Sequence, residues 1–184
     1  MAAVKKISRE AIISAALKLI REGGMGSLNA RSLASALGCS TRPVYLAFGS
    51  MDGVKECAAA RIKEVYQGYL KREAESGRYP TFKAYGMGYI RFARDEKEFF
   101  KFLFMRDRTD EKIVEEDIGF IISAVTAGTG LDKERAKLFH LESWIFVHGI
   151  AAMLATSYID FDEEFISETL TDMFEGLKAR FGSK

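Results

Sequence analysis

Apolar residues recur along this chain at three- and four-residue intervals, the period of helices that bury one face. Ile13, Ala16, Leu17 and Ile20 form the first such stripe, behind Ser8 as a good N-cap and ahead of Gly23 and Gly24, which end the helix near Glu22. Asn29 is expected to cap a second, short helix with Leu33, Ala34 and Leu37 on one face. Gly38 can adopt the positive φ of a sharp turn after it. Ser40 is expected to cap a third helix, with Pro43 in its first turn, where a missing N–H costs little. Val44 and Ala47 then point back at the second helix, while Thr41, Arg42, Tyr45 and Leu46 face outward. Ser50 is placed to cap a long helix from Met51 to about Ser76, broken by Gly77 and Tyr79-Pro80. Further helices are expected from Thr81 to about Arg94, Asp95 to Arg106, Asp110 to about Ala127, Asp132 to about Ser157 and Asp162 to about Arg180. Nine helices with short connections, no internal repeat and no β-type alternation predict an all-α fold of packed helices.

The stretch Asn29–Phe48 (NARSLASALGCSTRPVYLAF) carries the most chemistry. It combines small residues at the helix–helix contact, glycine at the turn and polar groups on the outer face of the second helix. Such a helix-turn-helix can insert into a DNA major groove. By spacing alone an ordinary helical hairpin remains the alternative. At the N-terminus of the outer helix, Thr41 and Arg42 meet free N–H groups that favour phosphate, Arg42 can reach guanine edges, and Pro43 stiffens the turn.

Arg31-Ser32-Leu33-Ala34, then Leu37-Gly38-Cys39-Ser40, then Tyr45-x-x-Phe48 followed by Gly49-Ser50, together resemble the TetR/AcrR family of bacterial transcriptional regulators. The resemblance covers about the first quarter of the chain. It implies a three-helix DNA-binding head over 1–50, a ligand-sensing and dimerising body over 51–184, and a Tyr45 hydroxyl that meets a phosphate. The candidate DNA contacts are therefore Arg31, Ser40, Thr41, Arg42, Pro43, Tyr45, Leu46 and Ser50. One departure stands out: the family usually has a lysine after the serine that opens the fourth helix, and this chain has Met51.

Charge agrees with that division. Residues 1–50 hold seven basic side chains against Glu10 and Glu22, a net of +5, whereas the whole chain is +1 and the remainder therefore −4. A basic head on a mildly acidic body suits a protein that neutralises phosphates at one end. No apolar run of about 18 residues suggests a membrane span. Lys5 and Lys6 are not followed by a signal-type apolar segment, so the cytoplasm is expected. The two cysteines, Cys39 and Cys57, form no metal or disulfide pattern and are expected as buried thiols.

Aromatic residues crowd the body. Tyr85, Tyr89 and Phe92 share one helical face, Phe99, Phe100, Phe102, Phe104 and Met105 crowd the next helix, and Trp144 and His148 sit one turn apart. Such stripes are usually core, yet their number makes an apolar cavity plausible. The expected lining is Tyr85, Tyr89, Phe92, Phe102, Met105, Phe120, Trp144 and His148, taking a small apolar or aromatic effector anchored by tyrosine or His148. The alternative for His148 is a buried histidine bonded to a nearby carbonyl. Trp144-x-x-x-His148-Gly149 also resembles the tryptophan, histidine and glycine signature of one TetR subgroup's C-terminal domain.

No catalytic pairing, metal cage or cofactor motif is expected. His140 is the only other histidine, Gly128-Thr129-Gly130 lacks the lysine of a phosphate loop, and Glu115, Glu116 and Asp117 read as a solvated face. A short recognition helix reads few bases, so a homodimer on a palindromic duplex operator is expected. Its interface would be the last two helices, with Leu138, Leu141, Ile145 and Met153 on one and Phe165, Ile166, Leu170, Phe174 and Leu177 on the other. The reading is a ligand-responsive DNA-binding repressor that is not an enzyme. An α-helical interaction module that binds protein instead of DNA is the other class left open.

Overall fold

The sequence folds into helices wherever an apolar stripe is bounded by a cap and a breaker. In the computed structural model, which describes residues 7–106 and 118–182, these are α1 (Arg9–Gly23), α2 (Ala30–Leu37), α3 (Arg42–Phe48), α4 (Met51–Glu75) and α5 (Thr81–Asp95), followed by α6 (Lys97–Phe104), α7 (Gly119–Thr129), α8 (Lys133–Ala155) and α9 (Glu163–Gly182). A short 3-10 turn, Met25–Ser27, links α1 to α2, and no strand occurs among the described residues. The all-α reading holds, with nine α-helices among the described residues. Lys5, Lys6, Glu115, Glu116, Asp117 and the start of the helix expected from Asp110 lie outside the described residues.

Several caps act as the residues imply. Ser8 Oγ accepts the Ala11 N–H at 3.1 Å, and Asp132 Oδ1 accepts that of Arg135 at 2.9 Å. Asp162 Oδ1 accepts the Phe165 N–H at 2.7 Å, and Ser50 Oγ that of Gly53 at 3.2 Å. Two boundaries differ. The third helix begins at Arg42 with Thr41 at the cap position and no side-chain cap bond, so Ser40 does not cap it. A Ser40 cap would make Pro43 the third helical residue, and proline has no N–H to offer the serine oxygen. The sixth helix begins at Lys97 with Glu96 at its cap position, leaving Asp95 as the last residue of α5.

The chain divides into two units: residues 1–65 with 96–106, and 66–95 with 107–184. Residues 1–50 fall wholly in the first. There α1 packs on α2, α3 and α6, burying Ile12, Ala16, Ile20, Leu33, Val44, Phe99 and Phe100. Arg21 grips Glu96 with two hydrogen bonds, 2.8 and 3.0 Å, and lies 4.7 Å over the Phe99 ring.

In the second unit α5 and α8 are the central pair, with α7 and α9 against them. Phe139, fully buried, packs with Val125, Ala136 and Phe181, and its ring meets Phe82 and Phe174 at 5.8 and 5.4 Å. Truncating such a phenylalanine to alanine costs about 3–5 kcal/mol. Gly88 lets α5 approach closely, since a Cβ there would sit 3.0 Å from the Tyr69 carbonyl oxygen and 3.1 Å from the Leu70 Cα. Glu73, 3% exposed, is held by Arg78 at 2.9 Å and by Arg91, which also reaches Glu163 at 2.8 Å. A buried carboxylate tolerates its desolvation only with such partners.

By length and composition α8 could cross a bilayer, which a scan for uninterrupted apolar runs does not reveal. Burial accounts for only part of the composition: Ala136, Phe139, Val147, Ile150, Ala151 and Leu154 are covered within the unit, whereas Leu138, Leu141 and Ile145 are exposed. Cys39 and Cys57 are half-buried and not fully enclosed.

Candidate nucleic-acid interface and effector cavity

Local chemistry fixes the helix-turn-helix before any packing does. Asn29 Oδ1 accepts the N–H groups of Arg31 and Ser32 at 3.0 Å each, and Ser32 Oγ accepts the Asn29 N–H at 3.1 Å, closing a capping box on α2. At the far end Gly38 has φ 62° and ψ 38°, and Cys39 N–H reaches back to the Ala34 carbonyl at 2.9 Å. This left-handed stop turns the chain into α3. Val44 is fully buried and Ala47 half-buried, so this face packs inward, as the sequence suggests. At the exit, Gly49 has φ 74°, and a Cβ on Gly53 would fall 2.7 Å from the Phe48 carbonyl oxygen. Arg9 of α1 donates to the Ala47 carbonyl and lies 4.1 Å over the Phe48 ring, tying the end of α3 to α1.

What remains outward on and beside α3 is the candidate interface. Arg42 and Ser40 are exposed, Thr41 and Pro43 half-buried, and Tyr45 and Leu46 are 46% and 77% exposed. Arg31 is exposed in the first turn of α2. Ser50 is exposed too, with its oxygen engaged at the start of α4.

Charge pairing sharpens this set. Among the described basic residues of 1–50, Arg9 is committed to α3, Lys18 lies 4.0 Å from Glu22, and Arg21 is clamped by Glu96. The side chains of Arg31 and Arg42 have no hydrogen-bonded or ion-paired partner among the described residues. Arg9 also lacks a carboxylate partner, but its guanidinium is taken up by the Ala47 carbonyl and the Phe48 ring, so among the described cations of 1–50 the two with no partner at all belong to the helix-turn-helix. Sequence counting alone gave all seven equal weight. Where the TetR pattern has a lysine, Met51 is half-buried, and Lys55 one turn later is paired with Asp52 at 3.0 Å.

The second unit contains a cavity. It has a void of about 60 Å³ that opens into a mouth, about 550 Å³ of non-atom space in all. Its walls are Tyr66, Leu70, Phe82, Lys83, Tyr85, Gly86, Tyr89, Ile121, His140, Ser143, Trp144, Val147, Leu170, Met173 and Phe174. Of the residues expected to line it, Tyr85, Tyr89 and Trp144 do so. Phe92 is fully buried, with its ring 5.4 Å from Tyr66 and 5.5 Å from Tyr69. Phe120 is 45% exposed and meets the Tyr85 ring edge-on at 5.0 Å, outside the walls. Phe102 and Met105 belong to the other unit. His148 is not a wall residue either: its Nδ1 is 2.8 Å from the Tyr89 hydroxyl, and its ring stacks on Trp144 at 4.9 Å.

His140 stands in the wall instead, one helical turn before Trp144 on α8, edge-on to Phe82. That one-turn spacing was a signal the sequence offered. Burial pushes the pKa of both His140 and His148 down and that of the Tyr66 hydroxyl up. Lys83, whose pKa burial also lowers, donates to Ser167 Oγ at 2.8 Å and Thr171 Oγ1 at 2.7 Å. Among the described residues, no group of three or more His, Cys, Asp or Glu could hold a metal ion.

A helix-turn-helix with unpaired cations on a helical body defines a class, the DNA-binding regulators. Residues 12–56 match the model for bacterial regulatory proteins of the tetR family, so this N-terminal segment is a TetR-family head. By this match the segment is that of a bacterial regulatory protein. No curated protein matches it. Among solved structures, a TetR-like transcriptional regulator from Rhodococcus sp. RHA1 superposes with a TM-score of 0.66 at 16% identity, over 94% of each chain. A TetR-family member from Streptomyces coelicolor does so with a TM-score of 0.62 at 17% identity, over 90% of this chain and 96% of that one. At such identities the likeness shows the fold, an all-α TetR-like one over the superposed part of the chain.

Proposed function

We propose that the protein is a cytoplasmic transcriptional repressor that binds a palindromic duplex operator as a homodimer and is released by a small apolar ligand. The observation that carries the DNA reading is the pair Arg31 and Arg42, unneutralised and exposed beside Tyr45 and Leu46 on the matched segment. Phosphate neutralisation supplies most non-specific affinity, and base contacts from the outer helix add specificity. Dimerisation has support in the apolar residues left uncovered on the last two helices: Leu138, Leu141 and Ile145 on α8 and Phe165 on α9 are 48%, 50%, 60% and 47% exposed. Ile166 and Leu170 are buried within their own unit and are not free for a partner.

The cavity supports an effector role. α4 runs unbroken from Met51 to Glu75, so its residues serve both units. A ligand releases DNA only by binding the DNA-incompetent arrangement more tightly, and a tenfold loss of operator affinity takes about 1.4 kcal/mol of such coupling. Sequencing the DNA recovered from a random pool bound to the purified protein tests the reading. The recovered sequences should converge on a palindrome with half-sites about one helical turn apart. No convergence, with the protein instead retaining only protein partners, would favour the interaction module.

A further inference from the structure

We propose that the cavity of the second unit takes an uncharged ligand with a single aromatic ring and one hydroxyl, which exchanges a hydrogen bond with His140. The inference rests on the effector role proposed above and deepens it by naming the ligand's chemistry. Rings dominate the wall: Phe82, Tyr85, Tyr89, Trp144 and Phe174. Their faces and edges suit another ring, packed edge-on or offset. Lys83 is the one charged residue among the described residues that line the cavity. Its ammonium is taken up by Ser167 Oγ, Thr171 Oγ1 and the Tyr79 ring, none of which is a wall residue. An ionised head group would therefore lose its water here without gaining a counter-charge.

Two polar groups of the wall are already engaged: Ser143 Oγ donates to the Phe139 carbonyl at 2.8 Å, and the Tyr89 hydroxyl is 2.8 Å from His148 Nδ1. His140 is not, having no hydrogen-bonding partner among the described residues. Among the described residues that are not exposed, the one unpaired side-chain nitrogen or oxygen sealed from water-sized space is Arg94 Nε. The unpaired nitrogens of His140 are thus open to a small partner. Burial lowers the pKa of this histidine, which keeps its ring neutral near pH 7, with one nitrogen to donate and one to accept. A hydroxyl can answer either nitrogen, whereas a carboxylate only accepts and an ammonium only donates.

Tyr85 also has a hydroxyl without a hydrogen-bonding partner among the described residues, but its ring meets Phe120, which lies outside the walls. The His140 ring meets Phe82, itself a wall residue, so the histidine is the better placed of the two. Size limits the body. A void of about 60 Å³ is smaller than the roughly 150 Å³ that holds a benzene in an engineered cavity, so a single ring enters by shifting Phe82, Met173 or Phe174, all half-buried. A fused-ring body would need more room.

The test uses four probes that share one body and differ in the head: 4-cresol, toluene, 4-methylbenzoate and 4-methylbenzylamine. Titration calorimetry on the full chain reports binding without DNA, so a failure to bind DNA leaves this measurement intact. Cresol that binds as expected but leaves operator affinity unchanged would sink the effector role alone. Cresol should saturate the wild-type protein, and neither ion should do so over the same concentrations. His140→Phe should weaken cresol about tenfold and leave toluene unchanged, because the ligand hydroxyl is then buried without a partner. His140→Gln, which can still give and take a hydrogen bond, should keep most of the cresol affinity. The comparison of heads needs only the wild type, so it stands even if a variant fails to fold. The proposal is overturned if cresol does not saturate, if either ion binds as tightly as cresol, or if His140→Phe leaves cresol affinity unchanged.

Discussion

Leu46 is 77% exposed on α3, the helix that also presents Tyr45 and Arg42. A leucine at that position gains by meeting an apolar surface, and the major groove offers one in the thymine methyl group. Replacing thymine by uracil at the operator position beneath Leu46 should weaken wild-type binding by about 1 kcal/mol, the worth of one buried methyl-sized group. Leu46→Ser should bind both operators alike. A uracil scan in which no position separates wild type from Leu46→Ser would place Leu46 away from the bases. The exposure of this leucine was legible in the sequence, because Val44 and Ala47 had to take the inner face. The inequality among the basic residues was not. Whether Arg9 or Arg21 is free depends on Ala47 and Glu96, 38 and 75 residues away.

At the scale of the element, α3 is held more by its ends than by its length. Gly53 sits where a Cβ would lie 2.7 Å from the Phe48 carbonyl, and that atom is backbone, so one helix must move to admit it. Gly53→Ala gains up to about 1 kcal/mol of helix propensity and loses about 1–3 kcal/mol to overpacking. Net destabilisation in chemical unfolding, with weaker operator binding, is expected; an unchanged midpoint would contradict the tight contact. Gly86, whose Cβ would meet only side-chain atoms at 3.7 Å or more, is the control that should accept alanine. Boundaries set by local chemistry were readable from the residues: Asn29, Gly38, Asp132 and Asp162 act within four residues of themselves. The start of α3 was misread because a good capping residue was weighed without its missing donor at Pro43. Asp95 was misassigned for a related reason, since an acidic residue suits a helix start but also tolerates a helix end.

For the whole molecule, the cavity was foreseeable as a surplus of aromatic residues and its walls were not. Helix rotation decides which of two neighbouring aromatics faces inward. Thus Tyr89 lines the space while Phe92, less than one turn later, is core. His140 and His148 both titrate below the ordinary 6.5 because burial disfavours the imidazolium. As pH falls through that value, the unfolded chain takes up protons that the folded chain does not. The stability these histidines contribute above it is therefore lost toward their lower folded pKa values. Thermal midpoints should drop between about pH 7 and about pH 5, and the double variant His140→Gln, His148→Gln should flatten that drop. An equally steep drop in the variant would assign it to other groups.

The central claim is that Arg31 and Arg42 deliver this head to DNA. Operator affinity measured by fluorescence anisotropy across a salt series tests it most directly. A dimer presenting both arginines twice should give a slope of log affinity against log salt of about −3.6 or steeper, and Arg31→Ala should flatten it by about 2. A flat salt dependence, or a slope unchanged when both arginines are removed, would contradict the account.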